Sequence, residues 1–206
     1  MAATVKPRRK PSQSRAWMTS GAIQDAFVLL LVERGYEKVS MREIASVAGV
    51  GLGTLYQYFP GKGSIAAVTV RTWMRRQGAA VVAVARSAAP RTLEQTARDL
   101  AAAQVGALLE HPQAWRALLQ VERAISSPTS YRELYRESVQ TFRGAFVAAS
   151  DWPPGLDAER IAFNAFTIVY AMAAQSLLVL DAEVDAGQVA RDAQRAVTSY
   201  LGSALQ

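Results

Sequence analysis

Apolar side chains recur every three or four residues through most of the chain, and the breaks in that rhythm hold Gly, Pro or paired Ser. A 3.6-residue period predicts amphipathic helices, and no alternating period lasts long enough to predict a strand. Ile23, Phe27, Leu30 and Leu31 form one stripe and predict a helix over residues 20–34, ended by Gly35. Ser40 with Glu43 is a capping box, so a short helix starts there with Ile44, Val47 and Ala48 as its buried face. Gly49, Val50 and Gly51 supply a tight turn. A second short helix follows over residues 52–58, burying Leu55 and Phe59, and Pro60 and Gly61 stop it.

Six further helices are predicted downstream. The first covers residues 64–88 and is closed by Pro90; the next opens at the capping box of Thr92 and Gln95 and runs to residue 110. Pro112 starts another, carrying Trp115, Leu118, Leu119 and Val121. After the break at Ser126, Ser127 and Pro128, residues 131–149 carry Leu134, Val139, Phe142 and Phe146. Trp152, Pro153, Pro154 and Gly155 make a rigid loop, and helices over residues 157–180 and 186–204 complete an all-α chain of nine. Residues 161–180 contain no charge, the length of a membrane span, but Asn164, Thr167, Gln175 and Ser176 dilute them. A helix apolar nearly all round is otherwise buried in a core or against a partner, and no membrane association is predicted.

Two short helices around a glycine-containing turn make a helix-turn-helix, whose second helix enters the DNA major groove. Gly53, Thr54, Tyr56, Gln57 and Tyr58 are left on the polar side of that helix. Thr54 and Gln57 suit base edges, since Gln pairs with adenine and the Thr methyl meets thymine. Tyr56 and Tyr58 have hydroxyls for phosphate oxygens, with rim packing as the other reading of each. Lys62 suits a further phosphate, and Gly53 permits close approach to the backbone. Arg42 lies in the first turn of a helix, where a cation opposes the dipole, so a phosphate outside explains it better than the helix does.

The stretch from about Ile23 to Ile65 is similar to the DNA-binding domain of the TetR (tetracycline-repressor-like) family of transcription regulators. Gly35-Tyr36, Ile44-Ala45, Ala48-Gly49-Val50, Gly53-Thr54-Leu55-Tyr56, Tyr58-Phe59 and Lys62 carry the resemblance in unbroken spacing. It implies DNA contacts at Ser40, Thr54, Tyr56, Tyr58 and Lys62. Gly51 departs from the family, which usually has Ser or Thr there. Gly still caps a helix within a few tenths of a kcal/mol, but it lacks the hydroxyl that could touch a phosphate.

The resemblance also implies a larger C-terminal domain that binds a small molecule, and a homodimer formed through the last two helices. The resulting organisation is a basic arm over residues 1–15, a DNA-binding domain over 16–63 and an effector-binding and dimerisation domain over 64–206. Trp73, Trp115, Phe142, Phe146, Phe163, Phe166 and Tyr170 lie on the helices that enclose the family's cavity, with Gln175, His111 and Asn164 as polar anchors. Core filling is the other reading of each aromatic. Few charges on those helices point to an apolar or aromatic effector. The DNA partner is a near-palindromic operator, bound by both heads of a dimer.

Charge agrees with that division. Of the 206 residues, those up to Lys62 hold nine Lys or Arg against four acids, and the rest fourteen Arg against thirteen acids, within a total of +6. The arm, with Lys6, Arg8, Arg9, Lys10 and Arg15, and with Pro7 and Pro11 resisting helix, either follows phosphates or is a plain tail. It lacks the apolar run of a secretory signal, which predicts a cytoplasmic protein.

With no cysteine, one histidine and no Glu-x-x-His pair, thiol chemistry and the usual di-metal bundle are excluded. Neither a metal nor a cofactor is expected. Gly61-Lys62-Gly63-Ser64 mimics a phosphate-binding loop, but Tyr56 stands where that loop requires Gly and no strand precedes it. No enzyme is expected. The alternative to a regulator is a dimeric helical adaptor that binds protein and lacks specific DNA binding.

Overall fold

The computed structural model describes residues 13–87, 89–125, 127–180 and 183–205. The chain divides into two compact units, Met1–Val68 and Thr69–Gln206. Among the described residues there are nine α-helices, one short 3-10 turn and no strand. The basic arm lies outside the described residues as far as residue 12, and residues 13–15 already belong to the first helix.

In the first unit, α1 (Gln13–Arg34) leads through a 3-10 turn (Tyr36–Lys38) to α2 (Met41–Val47) and α3 (Leu52–Tyr58). The first helix thus starts seven residues before the start expected at residue 20, and Trp17 and Met18 in this added stretch are exposed, outside the apolar stripe. Ile23, Phe27, Ile44, Leu55 and Ile65 are wholly buried and form the centre of this unit. Each such side chain contributes about 1.5–3 kcal/mol relative to exposure. Gly35 and Gly49 have φ of 74° and 67°, the left-handed conformation that lets the chain leave α1 and α2 without a Cβ clash. Val47, expected on the buried face of α2, is 47% exposed, whereas Ala45 is buried. In a helix of only seven residues the contact face is narrower than the apolar pattern suggested.

The next helix, α4 (Lys62–Ala85), contains the division between the units, five residues beyond the domain boundary expected at 63/64. The second unit holds α5 (Leu93–Leu109), α6 (Pro112–Ile125), α7 (Pro128–Val147), α8 (Ala158–Val179) and α9 (Ala186–Ala204). Both α5 and α8 pack against α6, α7 and α9 as well as each other. That explains α8, the one described helix apolar and long enough to cross a bilayer: Ile161, Ala162, Ala165, Phe166, Val169, Ala173, Ala174 and Leu177 are buried among its neighbours. The other side of α8 and its end expose Phe163, Val179 and Leu180.

Starts and stops are satisfied locally. Thr92 and Gln95 complete the second capping box, and Ser127, Asp157 and Asp185 cap α7, α8 and α9 through side-chain oxygens that accept backbone N–H groups. At the far end of α8, Arg116 Nε of α6 donates to the Leu177 oxygen at 2.5 Å, and its Nη2 donates to the Leu180 oxygen at 3.3 Å. A cation thereby meets carbonyls that a helix end leaves without partners.

Candidate nucleic-acid interface and ligand cavity

The capping box at Ser40 sets the position of α2. Glu43 N–H donates to Ser40 Oγ at 3.3 Å, while Ser40 N–H and Oγ–H donate to Glu43 Oε2 at 3.0 and 2.7 Å. Glu43 also pairs with Arg34 of α1 at 2.5 Å, tying the two helices together. These bonds to Ser40, followed by the Arg34 cation, hold the Glu43 carboxyl below the usual carboxylate range. Ser40 is exposed, but its hydroxyl already serves the cap.

Helix α3 sorts its residues by side. Leu55 and Phe59 are buried, and Gly53, Thr54, Tyr56, Gln57 and Tyr58 are exposed, together with Arg42 on α2. Tyr56 is 51% and Tyr58 38% exposed, so packing does not explain both rings. At Gly51, which begins α3 with φ −66° and no side-chain cap, an added Cβ would meet only Thr54 Oγ1 at 3.8 Å. A Cβ on Gly53 would meet nothing within 4 Å.

Lys62, expected to reach a phosphate, donates instead to the Tyr36 oxygen at 2.7 Å and the Glu37 oxygen at 3.3 Å. Its ammonium also lies 4.4 Å from the centre of the Tyr36 ring, a cation–π distance. The Tyr36 ring in turn meets Phe27 edge to face at 6.3 Å. Burial raises the Tyr36 phenol above its ordinary range, with Glu37 adding to the effect. The first residue of α4 is therefore fastened to the turn that precedes α2.

The second unit contains a cavity of about 300 Å³ between α4, α5, α7 and α8. Val81 and Val82 of α4, Leu134 and Tyr135 of α7, and Phe166 and Tyr170 of α8 supply apolar lining, with Gln77 and Gln104 as buried amides. A second cavity of about 490 Å³ lies on the other side of Tyr135, Phe166 and Tyr170, between α7 and α8. Phe163 and Gln175 line that one, beside Arg123, Arg132 and Arg136.

Burial raises the Tyr135 phenol far above its ordinary range, with Tyr170 and Tyr131 adding to it, and pushes Tyr170 up to about 12. Both hydroxyls therefore stay protonated.

Four expected effector aromatics, and the expected anchors His111 and Asn164, line neither of these cavities. Phe142 and Phe146 are fully buried against each other at 5.9 Å, and Phe142 supports Phe166 from behind at 5.6 Å. Trp115 is buried, donates Nε1–H to the Ala107 oxygen at 3.2 Å, and stacks edge to face with Trp73 at 5.6 Å. His111 also packs on Trp73. Phe142, Phe146 and Trp115 fill core, while Trp73 is half-buried against an exposed His111, because a helical stripe gives the inward face but not which residue on it borders a void. Asn164 donates to Tyr200 Oη at 2.9 Å and so joins α8 to α9. Sequence reasoning missed Tyr135 and Gln104. The spacing of Tyr131 and Tyr135 was a usable signal, whereas nothing marked Gln104 within its alanine-rich helix.

A helix-turn-helix with one exposed polar face, followed by a helical unit with a largely apolar cavity, defines a DNA-binding transcription regulator. The family model described as "Bacterial regulatory proteins, tetR family" matches residues 23–68, and that described as "Tetracyclin repressor-like, C-terminal domain" matches residues 92–201. The chain belongs to the TetR family.

Among curated proteins, the HTH-type transcriptional repressor KstR of Rhodococcus jostii (strain RHA1) is 52% identical over 40 residues, 19% of this chain and 19% of KstR. KstR of Mycobacterium tuberculosis is 50% identical over 40 residues, 19% of this chain and 18% of that protein. The match thus spans about a fifth of each relative. Among solved structures, the fatty acid degradation regulator FadR of Bacillus halodurans has a TM-score of 0.72 at 17% identity, covering 92% of this chain and 96% of that one. A transcriptional regulator of Pseudomonas aeruginosa PAO1 has a TM-score of 0.72 at 19% identity, covering 95% and 93%. These two likenesses concern the fold alone.

Proposed function

We propose that the protein is a cytoplasmic, homodimeric repressor whose two α3 helices enter successive major grooves of a near-palindromic operator. The observation that carries this reading is the sorting of α3, with Leu55 and Phe59 inward and Thr54, Tyr56, Gln57 and Tyr58 outward. Thr54 and Gln57 read bases, and Tyr56, Tyr58 and Arg42 contact phosphates. Ser40 acts by capping α2, and Lys62 by fixing the start of α4. Dimerisation through α8 and α9 covers Phe163, Val179 and Leu180, apolar groups that a lone chain leaves in water.

A small apolar or aromatic effector occupies the cavity between α4, α5, α7 and α8 and releases DNA. Release requires that it bind one separation of the two heads more tightly than another, because equal affinity for both shifts nothing. KstR is a repressor by its name, which agrees with this reading through the forty matched residues.

Replacing Tyr56 and Gln57 together by Ala tests the proposal. The variant should sediment as a dimer with wild-type helicity and lose at least tenfold in operator affinity. Unchanged affinity in a folded dimer would remove α3 from the interface.

A further inference from the structure

We infer that the effector is an electrically neutral, mostly apolar molecule that presents an acceptor oxygen, of the ketone or ester kind, to the side-chain amide of Gln104. The inference rests on the reading of the α4, α5, α7 and α8 cavity as the effector site, and adds its chemical class.

Gln104 is 1% exposed, it lines that cavity, and its Nε2 has no hydrogen-bond partner. A buried N–H left without an acceptor is unfavourable and rare in native proteins, and a ligand oxygen in the cavity would supply one. Gln77 of α4 adds a second buried amide to the lining, 8% exposed. Tyr135 and Tyr170 contribute protonated hydroxyls, so the interior offers neutral polar groups.

Charge enters only at the exposed rim, where Arg75 and Glu137 are of opposite sign. A carboxylate drawn inside would lose its hydration with no buried cation to replace it. At about 300 Å³ the cavity stands at the small end of ligand pockets, which favours a compact molecule. The neighbouring cavity differs in this respect: Arg123, Arg132 and Arg136 outnumber the one acid of its lining, Glu159, and would favour an anion. Neutral and anionic ligands are therefore separable by where and how they bind.

The test is isothermal titration of the full-length protein with three skeletons, each as ketone, hydrocarbon and carboxylate. The ketones are 2-octanone, cyclohexyl methyl ketone and 2-tetralone. Wild-type protein should bind at least one ketone about tenfold or more tightly than the matching carboxylate. Gln104→Leu should weaken that ketone about tenfold and leave the hydrocarbon unchanged or tighter. Should Gln104→Leu fail to fold, Gln104→Met and the wild-type ranking decide. A carboxylate that binds as well as the ketone and is weakened by Gln104→Leu in the same way, a ketone indifferent to the substitution in a folded variant, or no binding by any skeleton overturns the inference.

Operator binding, followed in the same samples, separates the two levels. Release by a carboxylate overturns the neutral class and leaves the regulator reading intact. A bound ketone that never releases the operator overturns the cavity as the effector site.

Discussion

Lys62 and Tyr36, 26 positions apart in the chain, are joined twice: the ammonium donates to the Tyr36 oxygen at 2.7 Å and lies 4.4 Å from its ring centre. With the Glu37 oxygen as a second acceptor, two of three ammonium donors are used inside the protein. Lys62→Met should destabilise the fold by about 1–3 kcal/mol in urea denaturation. Operator affinity should fall as well, with the slope of log K against log salt unchanged. A direct phosphate contact would lower that slope by about 1 and leave stability intact.

Gly53 is the second residue of α3, in its first turn, with open space where a Cβ would be. Gly loses more backbone freedom than Ala on entering a helix, so nothing in the free protein accounts for it. Gly53→Ala should raise the melting temperature and weaken operator binding. An alanine variant that is both more stable and equally tight would show that DNA does not approach closely at this point.

Glu43 gives the fold a defined response to acid. Its bonds to Ser40 and the Arg34 cation depress its folded pKa below the unfolded value of about 4.3. The unfolded chain therefore binds the proton more readily, so this stabilisation is complete above that value and is lost as pH falls through the folded pKa. Melting temperature measured from pH 6 to pH 3 should fall less steeply in Glu43→Gln than in wild type. Parallel curves would place the acid sensitivity elsewhere.

Arg116 gives the second unit a corresponding cross-link, from α6 to the carbonyls at the end of α8. Arg116→Met keeps much of the aliphatic stem and removes both donors. A loss of about 1.5–3 kcal/mol is expected from charge-assisted hydrogen bonds, read from urea denaturation.

Capping boxes and glycines made most of the helical framework legible in the sequence. Ser40 with Glu43 and Thr92 with Gln95 both form reciprocal caps, because that chemistry is local. Leu55 and Phe59 were placed correctly for a similar reason, as a seven-residue helix has room for one apolar side. What escaped depends on contacts between distant residues. The Lys62 ammonium meets carbonyls 25 and 26 positions away, a contact that helical periodicity does not predict. Likewise Phe142 and Phe146 share a stripe with residues near the cavity, yet α7 turns them into the core and presents Tyr135 instead.

The most direct test of the central claim is a fluorescence-anisotropy titration of the purified protein against the DNA immediately upstream of its own gene. Random DNA serves as control, at two salt concentrations. The account predicts tight binding to the upstream fragment, weakened by salt, at least a thousandfold tighter than to random DNA. Equal, weak binding to an upstream fragment that carries a near-palindromic site, or no binding at all, would contradict it and favour a helical adaptor that binds protein.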